Sequence, residues 1–425
     1  MTRPVIEEDF LRPLKYTNKR FYVFLGVVIA ALLWTGFAWH TQLTQGMVTT
    51  GMRDIPGGAP WGIYITNFIF FIGITHAGIA IASAIRLLNI KDYIPLARIA
   101  ELITIFSLLV AGLSVIFDIG RPDRILNLIL YYPERLGQSP LIWDLTAITT
   151  YLIFAVAYLY IEMREDLARL VDKVRFRRLY KFILPLYERG ERGRIERIVW
   201  WASILNFPIM VMVHTTVAWL FGLMSSRPGW YSAIMGPYYV AGAVLSGVAA
   251  VIVVTAIYRY IFKWHALISS KVFRGLGRFL SWTTIIYLYF LLAENLTVRY
   301  GGSVFELRVS EALMRFEFAW PFWSQIGALL VAFTIYFLPI VYPKAFRIWS
   351  TVFASALVVV TLWVTRFLIV VPSLTRPYLL YPPGIYSPTW VEWSLIGGTF
   401  IIVIFLFTVF TKIFPIIPIT EAEKE

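Results

Sequence analysis

Long apolar segments recur along the whole chain, and polar residues collect in the connections between them. A membrane-spanning helix needs about 20 predominantly apolar residues, and the pattern predicts ten such spans. The predicted spans are 21–38, 61–86, 94–117, 140–162, 197–222, 234–261, 279–300, 319–342, 348–371 and 390–413. We therefore expect an all-α membrane protein of about ten transmembrane helices, with no soluble domain of useful size.

Small residues at helical spacing indicate how the spans pack, because they let helix backbones approach closely in lipid. Pairs at i, i+4 occur on the second and sixth spans: Gly73 with Ala77, Gly78 with Ala82, and Gly242 with Ser246 and Ala250. Both spans follow a Gly/Pro turn and end in an arginine. This favours two four-helix bundles, helices 2–5 and helices 6–9, with the first and tenth helices flanking them.

Lysine and arginine are distributed unevenly between the connections. They concentrate in residues 1–20, 164–197 and 263–278, which lie on one side of a ten-span protein. The positive-inside rule then places both termini in the cytoplasm. The predicted organisation is a cytoplasmic N-terminal segment (1–20), a transmembrane domain (21–413) and a cytoplasmic C-terminal tail (414–425). The net charge of +13 follows this topology and does not indicate nucleic-acid binding.

The composition excludes several kinds of chemistry. The chain has no cysteine, which excludes thiolate metal sites, Cys-ligated iron–sulfur clusters and covalently attached haem. It also lacks the phosphate-binding, zinc-protease and nucleophile-elbow motifs. A haem would need paired axial histidines, and only His76 and His214 lie inside predicted spans. The depths of these two histidines, counted along their helices, differ, which argues against a haem held between them. Together with the lack of cysteine, this leads us to expect no haem, metal or iron–sulfur cluster in this chain.

The segment Asp118-Ile119-Gly120-Arg121-Pro122-Asp123-Arg124 stands out because it places charges where the third span leaves the bilayer. The connection after it returns to Asp144, in the first turns of the fourth span. Because this connection returns the chain to the same side, we expect Asp118, Arg121 and Asp144 to lie at one membrane level. Charges at such depth usually identify a functional site. The structural alternatives remain open: a charged interfacial turn, and for Asp144 a simple negative charge at a helix N-terminus.

Other polar residues inside the spans are further candidates. His214 and Glu294 lie toward the outer side and form a candidate second polar site. Glu101, in the inner half of the third span, either belongs to a packing network with Arg98, which we favour, or starts a proton path toward His76. Arg366 near the outer end of the ninth span is expected to extend toward the surface.

Several segments together resemble the NrfD/PsrC family of quinol-interacting membrane subunits. They are Pro60-Trp61-Gly62-Ile63-Tyr64, Gly73-Ile74-Thr75-His76-Ala77-Gly78, Asp118-Ile119-Gly120-Arg121-Pro122, Ser139-Pro140-Leu141-Ile142-Trp143-Asp144, Pro228-Gly229-Trp230-Tyr231 and Pro237-Tyr238-Tyr239-Val240-Ala241-Gly242-Ala243 followed by Ser246-Gly247. The resemblance covers most of residues 20–300. The ten-helix form is similar to membrane subunits of alternative complex III, of Dsr-type complexes and of some hydrogenases.

The resemblance implies a function. Such subunits sit in the prokaryotic cytoplasmic membrane, are not catalytic alone, bind menaquinone or ubiquinone, and exchange electrons with an iron–sulfur ferredoxin-like subunit on the outer face. Molybdopterin, cytochrome or hydrogenase subunits complete the complex, and some members translocate protons. Carried over by position, His76, Asp118, Arg121 and Asp144 are the quinone-binding or proton-handling candidates. One departure is Leu220, where some relatives have an aspartate six residues after the histidine that matches His214.

Two other functions fit parts of the sequence. A secondary transporter or ion channel would use intramembrane polar residues, although such sites usually lie at the midplane. A scaffold without a ligand would use Asp118, Arg121 and Asp144 only as structural ion pairs. The polar segment near one surface favours an interfacial quinone pocket over a transporter or channel. Binding of a quinone analogue would separate all three functions.

Overall fold

The computed structural model describes residues 7–15, 17–54, 58–184, 192–379 and 381–419, and within them the apolar segments are all helical. The helices are α1 (Glu7–Lys15), α2 (Lys19–Gln45), α3 (Ile63–Leu87), α4 (Ile94–Ile119), α5 (Leu126–Leu130), α6 (Tyr132–Arg135), α7 (Pro140–Leu170), α8 (Arg177–Ile183), α9 (Arg192–Gly222), α10 (Met235–Ile261), α11 (Ser270–Gly301), α12 (Val304–Met314), α13 (Ala319–Val341), α14 (Ile348–Leu374) and α15 (Trp390–Ile413). Ten of these are long and apolar enough to cross a membrane, namely α2, α3, α4, α7, α9, α10, α11, α13, α14 and α15. The prediction of an all-α protein with ten spans is confirmed.

Several helices are longer than the apolar segments that predicted them. Helix α7 continues to Leu170, α11 begins at Ser270 and α2 continues to Gln45. The backbone hydrogen bonds of a helix do not depend on side-chain polarity, so a helix can continue into polar sequence once it has left the bilayer core. The hydrophobic pattern therefore locates the spans but not their ends.

The chain crosses the bundle in alternating directions, which gives the molecule two faces. We call the end that carries both termini the terminal face; it also holds the connections after α3, α7, α10 and α13. The opposite end, the distal face, holds the connections after α2, α4, α9, α11 and α14. The terminal face carries most of the lysine and arginine, and its cytoplasmic location stays a prediction.

Helix α3 lies at the centre of the protein. In its most apolar window 81% of residues are buried, against 17% for α2 at the periphery. Helix α3 packs against α4, α9, α10 and α14, while α2 packs against α15. Gly78 allows the close approach to α4, because a side chain there would collide with the backbone of Ala100. The division into helices 2–5 and 6–9 stays a prediction, since α3 and α10 pack closely across that boundary.

The segment after α15 packs against the terminal face. The buried Arg98 donates to the carbonyl oxygens of Pro415 and Ile417, at 3.1 Å each. The Ile419 backbone N–H donates to the Asp166 carboxylate at 3.2 Å. The described part of the predicted C-terminal tail is therefore anchored to α4 and α7. Residues 1–6 and 420–425 of the predicted terminal segments lie outside the described residues.

Candidate functional site

Two histidines meet in the interior of the protein. The rings of His76 on α3 and His214 on α9 have centroids 4.0 Å apart and are tilted by 59°. Both side chains are fully buried. The expectation that they lie at different depths is therefore wrong. Depth counted along one helix gives no register with its neighbour, because the helix ends are staggered.

Two further polar side chains complete this group. The ring of Tyr239, on α10, lies 6.2 Å from that of His214. The guanidinium carbon of Arg366, on α14, lies 4.4 Å from the centroid of the Tyr239 ring, which is a cation–π contact. Arg366 is 1% exposed, so the expectation that it extends to the surface is wrong. We call His76, His214, Tyr239 and Arg366 the central cluster.

The polar atoms of the central cluster are largely unpartnered among the described residues. The ring nitrogens of His76 and His214, the Tyr239 hydroxyl and both Nη atoms of Arg366 have no partner at hydrogen-bond geometry there. The backbone of Met210 and Ile72 lies near the His76 ring, and the backbone of Tyr239 lies near the His214 ring. Buried polar groups are nearly always hydrogen-bonded, and leaving them unpaired in an apolar surrounding is costly. Their convergence from four helices is typical of a site that binds a polar guest.

Small residues make room for this cluster between α3, α10 and α14. A side-chain carbon on Gly242 would lie only 2.8 Å from Nη2 of Arg366. One on Gly73 would lie 3.4 Å from the Ser246 hydroxyl oxygen and 3.9 Å from the same Nη2. Gly73, Gly242 and Ser246 are part of the small-residue pattern in the sequence. These small residues therefore leave space for the Arg366 guanidinium between the helices, in addition to allowing close helix packing.

Asp144 lies beside the central cluster. Its side chain, on α7, is 1% exposed. It acts electrostatically on Tyr239 and lies near Thr216 of α9. Asp144 is therefore the predicted carboxylate that interacts with the central cluster, and it does so through Tyr239.

Asp118 belongs to a different polar group. It lies at the distal end of α4, where it acts electrostatically on Tyr64 and interacts with Glu392 of α15. The Glu392 carboxylate accepts hydrogen bonds from the Tyr386 hydroxyl at 2.7 Å and the Gly51 N–H at 2.6 Å. Burial, followed by the nearby Glu392 charge, raises the pKa of Tyr386 above its usual value. The Tyr64 hydroxyl also donates to Gln42 of α2 at 2.6 Å, so this group joins α2, α3, α4 and α15 at the distal face.

Arg121 lies at the surface of the distal face. Helix α4 ends at Ile119 and is capped by Gly120, whose φ of +68° suits glycine, and Pro122 begins a short 3-10 turn. The exposed Arg121 guanidinium binds both carboxylate oxygens of Asp123, at 3.0 and 2.8 Å. That hydrogen bonding lowers the pKa of Asp123. Among the described residues, no hydrogen bond or ion pair joins Arg121 to Asp118 or Asp144.

The candidate second polar site is divided between two places. His214 joins His76 in the central cluster. Glu294, on α11, instead accepts a hydrogen bond from Ser232 at 2.9 Å and lines a cavity between α10 and α14. The similar depth that the sequence indicates for the two residues does not establish contact between them.

Glu101 lies in a network of buried charges near the terminal face. Its carboxyl group faces that of Glu162, which pairs with Arg86 at 2.5 Å. Arg98 pairs with Asp166 at 2.8 Å and lies 3.7 Å from Glu162. The network therefore includes Arg98, as we expected in the alternative that we favoured. The Glu101–Glu162 carboxyl pair belongs to the same network.

Comparison with known proteins adds the family. The family model described as "Polysulphide reductase, NrfD" matches residues 52–377. The chain is 29% identical to a protein of Halobacterium salinarum named as a membrane subunit of dimethyl sulfoxide reductase, over 73% of this chain and 65% of that protein's length. It is 24% identical to a selenate reductase subunit of Mesobacillus selenatarsenatis, over 98% of this chain and 96% of the relative. It is 23% identical to the Hdr-like menaquinol oxidoreductase integral membrane subunit of Archaeoglobus fulgidus, over 95% of each.

Proposed function

Because this chain belongs to the NrfD family, we propose that it is the quinone-binding membrane subunit of a multisubunit respiratory oxidoreductase. The chain is a multi-pass membrane protein, and its relatives are named as subunits of reductases and of a menaquinol oxidoreductase. The observation that carries the proposal is the central cluster. Four buried polar side chains from four helices converge there with unpartnered atoms, inside otherwise apolar walls.

The chemistry of the cluster suits a quinol headgroup. Oxidation of a quinol releases two electrons and two protons, so its hydroxyl groups need nearby proton acceptors. The neutral imidazoles of His76 and His214 can accept those protons, since histidine is a versatile general base. The Arg366 guanidinium can stabilise an oxygen that has lost its proton, and the Tyr239 hydroxyl can donate a hydrogen bond to a carbonyl oxygen. In quinone reduction the same groups act in reverse.

The position of the cluster supports electron exchange at the distal face. His214 and Arg366 are each eight residues from the distal end of their helix, about 12 Å at helical rise. We propose that the distal face is outside the cytoplasmic membrane and that an iron–sulfur subunit docks there. Molybdopterin, cytochrome or hydrogenase subunits would then complete the complex. The exposed Arg121–Asp123 pair and Asp118 lie on this face and are candidates for partner contact or proton handling.

Proton translocation is a further part of the proposal. On α4, Glu101 lies one turn from Thr104, whose hydroxyl donates to the Thr75 carbonyl at 2.8 Å. The Tyr151 hydroxyl donates to the same carbonyl at 3.2 Å, and Thr75 directly precedes His76. These polar groups lead from the Glu101–Glu162 pair to the central cluster. We propose that they form a proton path between the terminal face and the central cluster.

Binding of a quinone analogue tests the proposal. The purified protein in nanodiscs is titrated with 2-heptyl-4-hydroxyquinoline N-oxide, whose fluorescence is quenched on binding. His76→Gln and His214→Gln should each raise its Kd by about 2- to 12-fold, the equivalent of one hydrogen bond of about 0.5–1.5 kcal/mol. His265→Gln, an exposed histidine on the terminal face, serves as the matched control. Absence of binding to the unaltered protein, or equal Kd values for all variants, would contradict the proposal.

A further inference from the structure

A cavity lies at the distal end of the second half of the protein, between α10, α11, α12, α13 and α14. Its volume is about 90 Å³. One water molecule requires roughly 10–15 Å³ by this measure, so the cavity admits several waters but not a quinone ring with its tail. Its polar lining includes Glu294, Glu306, Ser310, Gln325 and Thr365, and no lysine, arginine or histidine is among the described residues that line it.

The lining provides polar groups that can hydrogen-bond to a small polar molecule such as water. Glu294 is half-buried, and its Oε2 accepts a hydrogen bond from Ser232 at 2.9 Å. Ser310 is 5% exposed, and its hydroxyl has no hydrogen-bond partner among the described residues. Glu306 interacts with the Ser303 backbone N–H at 2.6 Å as part of the cap of α12. Glu294 is thus the carboxylate of the lining that is not committed to a helix cap.

Hydroxyl groups connect this cavity to the protein interior. Two residues of the lining, Tyr238 and Thr365, both contact Tyr287 of α11. The Tyr287 hydroxyl donates to the Tyr238 hydroxyl at 3.0 Å and interacts with the Thr365 hydroxyl. Thr365 in turn donates to Gln325 Oε1 at 2.6 Å. The fully buried Tyr287 therefore bridges two walls of the cavity.

The same tyrosines lie next to the central cluster. A side-chain carbon on Gly242 would lie 2.8 Å from Nη2 of Arg366 and 2.9 Å from Cε2 of Tyr287, so both groups flank this glycine. The Tyr238 and Tyr287 rings stack with centroids 5.0 Å apart. Arg366 acts electrostatically on both. One layer of side chains thus separates the central cluster from the cavity.

We propose that this cavity is the distal proton outlet of the central cluster and that Glu294 is its proton-exchanging carboxylate. The inference rests on the proposed function. When a quinol is oxidised, two electrons leave to the partner subunit, and its two O–H bonds release two protons at the central cluster. The tyrosine pair passes protons toward the cavity, where Glu294 takes each one up and releases it to the distal side. Reduction of a quinone draws two protons along the same route inward.

The surroundings of Glu294 are consistent with this role. The titratable side chains that face it are Glu306 of α12 and Tyr238 of α10. The lining residues from α13 and α14 are not titratable, and no cation of the described lining pairs with Glu294. Glu294 is therefore free to alternate between its protonated and ionised forms without breaking an ion pair.

The test uses the complete complex in proteoliposomes, with a short-chain quinol as donor and an artificial electron acceptor. General acid–base groups typically contribute on the order of 100-fold to a rate, so Glu294→Gln should lower quinol turnover at least about tenfold. The Kd of the quinone analogue should stay within about twofold, and a small weak acid such as azide should restore part of the rate. Glu311→Gln, an exposed carboxylate on α12 outside the cavity, is the matched control.

A second variant keeps the test decisive if Glu294→Gln does not assemble. Tyr287→Phe keeps the ring but removes the bridging hydroxyl, and it should also slow turnover with the analogue Kd unchanged. Wild-type turnover and proton release in either variant would overturn the proposed outlet. Absence of quinol turnover or analogue binding in the unaltered complex would instead refute the proposed function.

Discussion

Replacing Arg366 by methionine separates a ligand-binding role from a structural one. Arg366→Met keeps an unbranched apolar stem and removes the charge and hydrogen-bond donors of the guanidinium. In the structure the guanidinium contacts the Tyr239 ring at 4.4 Å, and its Nη atoms have no hydrogen-bond partner among the described residues. The variant therefore removes a buried charge without leaving a carboxylate unpaired.

The expected energies have opposite consequences for stability and binding. Loss of the cation–π contact costs about 2 kcal/mol in a desolvated site, whereas removal of an unpaired buried charge recovers several kcal/mol of desolvation penalty. We expect the stability of Arg366→Met to be unchanged or higher. A hydrogen bond to a charged group contributes about 1.5–3 kcal/mol, so the Kd of the quinone analogue should rise by about 10- to 150-fold.

Arg98→Met is the matched control, because Arg98 is equally buried but paired. It binds Asp166 at 2.8 Å and holds two carbonyl oxygens of the C-terminal segment. Its removal leaves buried carboxylates unpaired and should cost about 3–5 kcal/mol, with little effect on analogue affinity. Thermal unfolding in nanodiscs and analogue titration measure the two quantities. A loss of stability in Arg366→Met comparable to that in Arg98→Met, with an unchanged Kd, would contradict a ligand-binding role for Arg366.

Three further predictions concern the carboxylates and the topology. Asp144→Asn should lower quinol turnover by about tenfold or more, and Asp118→Asn by less, because of these two carboxylates only Asp144 adjoins the central cluster. Steady-state assays of the assembled complex measure the turnover, and normal turnover in both variants would exclude a proton-handling role for them. Cysteines placed at the exposed positions Gly137 and Gly193 should react with an impermeant maleimide from opposite sides of intact membranes; labelling from the same side would invalidate the ten-span topology. Glu101→Gln should reduce the charge moved per electron in vesicles that contain the complete complex while quinol chemistry continues; unchanged charge movement would assign Glu101 to structure alone.

Hydrophobic patterning predicted the number and places of the spans because a bilayer imposes one length scale on every crossing helix. It predicted the ends less well, since α7 and α11 continue into polar sequence. The same limit applied to His76 and His214. Counting residues along each helix placed them at different depths, whereas their rings are 4.0 Å apart. The stagger between α3 and α9 depends on packing, which a single sequence does not record.

The candidate site was predicted in part. His76, His214 and Asp144 were selected because ionisable residues inside spans are costly, and the structure places all three in or beside the central cluster. Arg366 and Tyr239 were missed. The signal for Arg366 was available, since it lies well inside a 27-residue apolar helix, but the direction in which it points depends on which face of α14 meets α3 and α10. Asp118 and Arg121 are close in sequence but belong to different polar groups in the structure. Asp118 lies near Glu392, whereas Arg121 pairs with Asp123 at the surface.

Photoaffinity labelling would locate the quinone headgroup in the protein. The purified protein is irradiated with a quinone that carries a photoreactive group on its ring, and the modified peptides are identified by mass spectrometry. We expect modification of α3, α9, α10 or α14 within about one turn of His76, His214, Tyr239 or Arg366, and unmodified quinone should compete with it. Competable labelling confined to other helices, or none above the level without irradiation, would contradict the assignment of the headgroup to the central cluster.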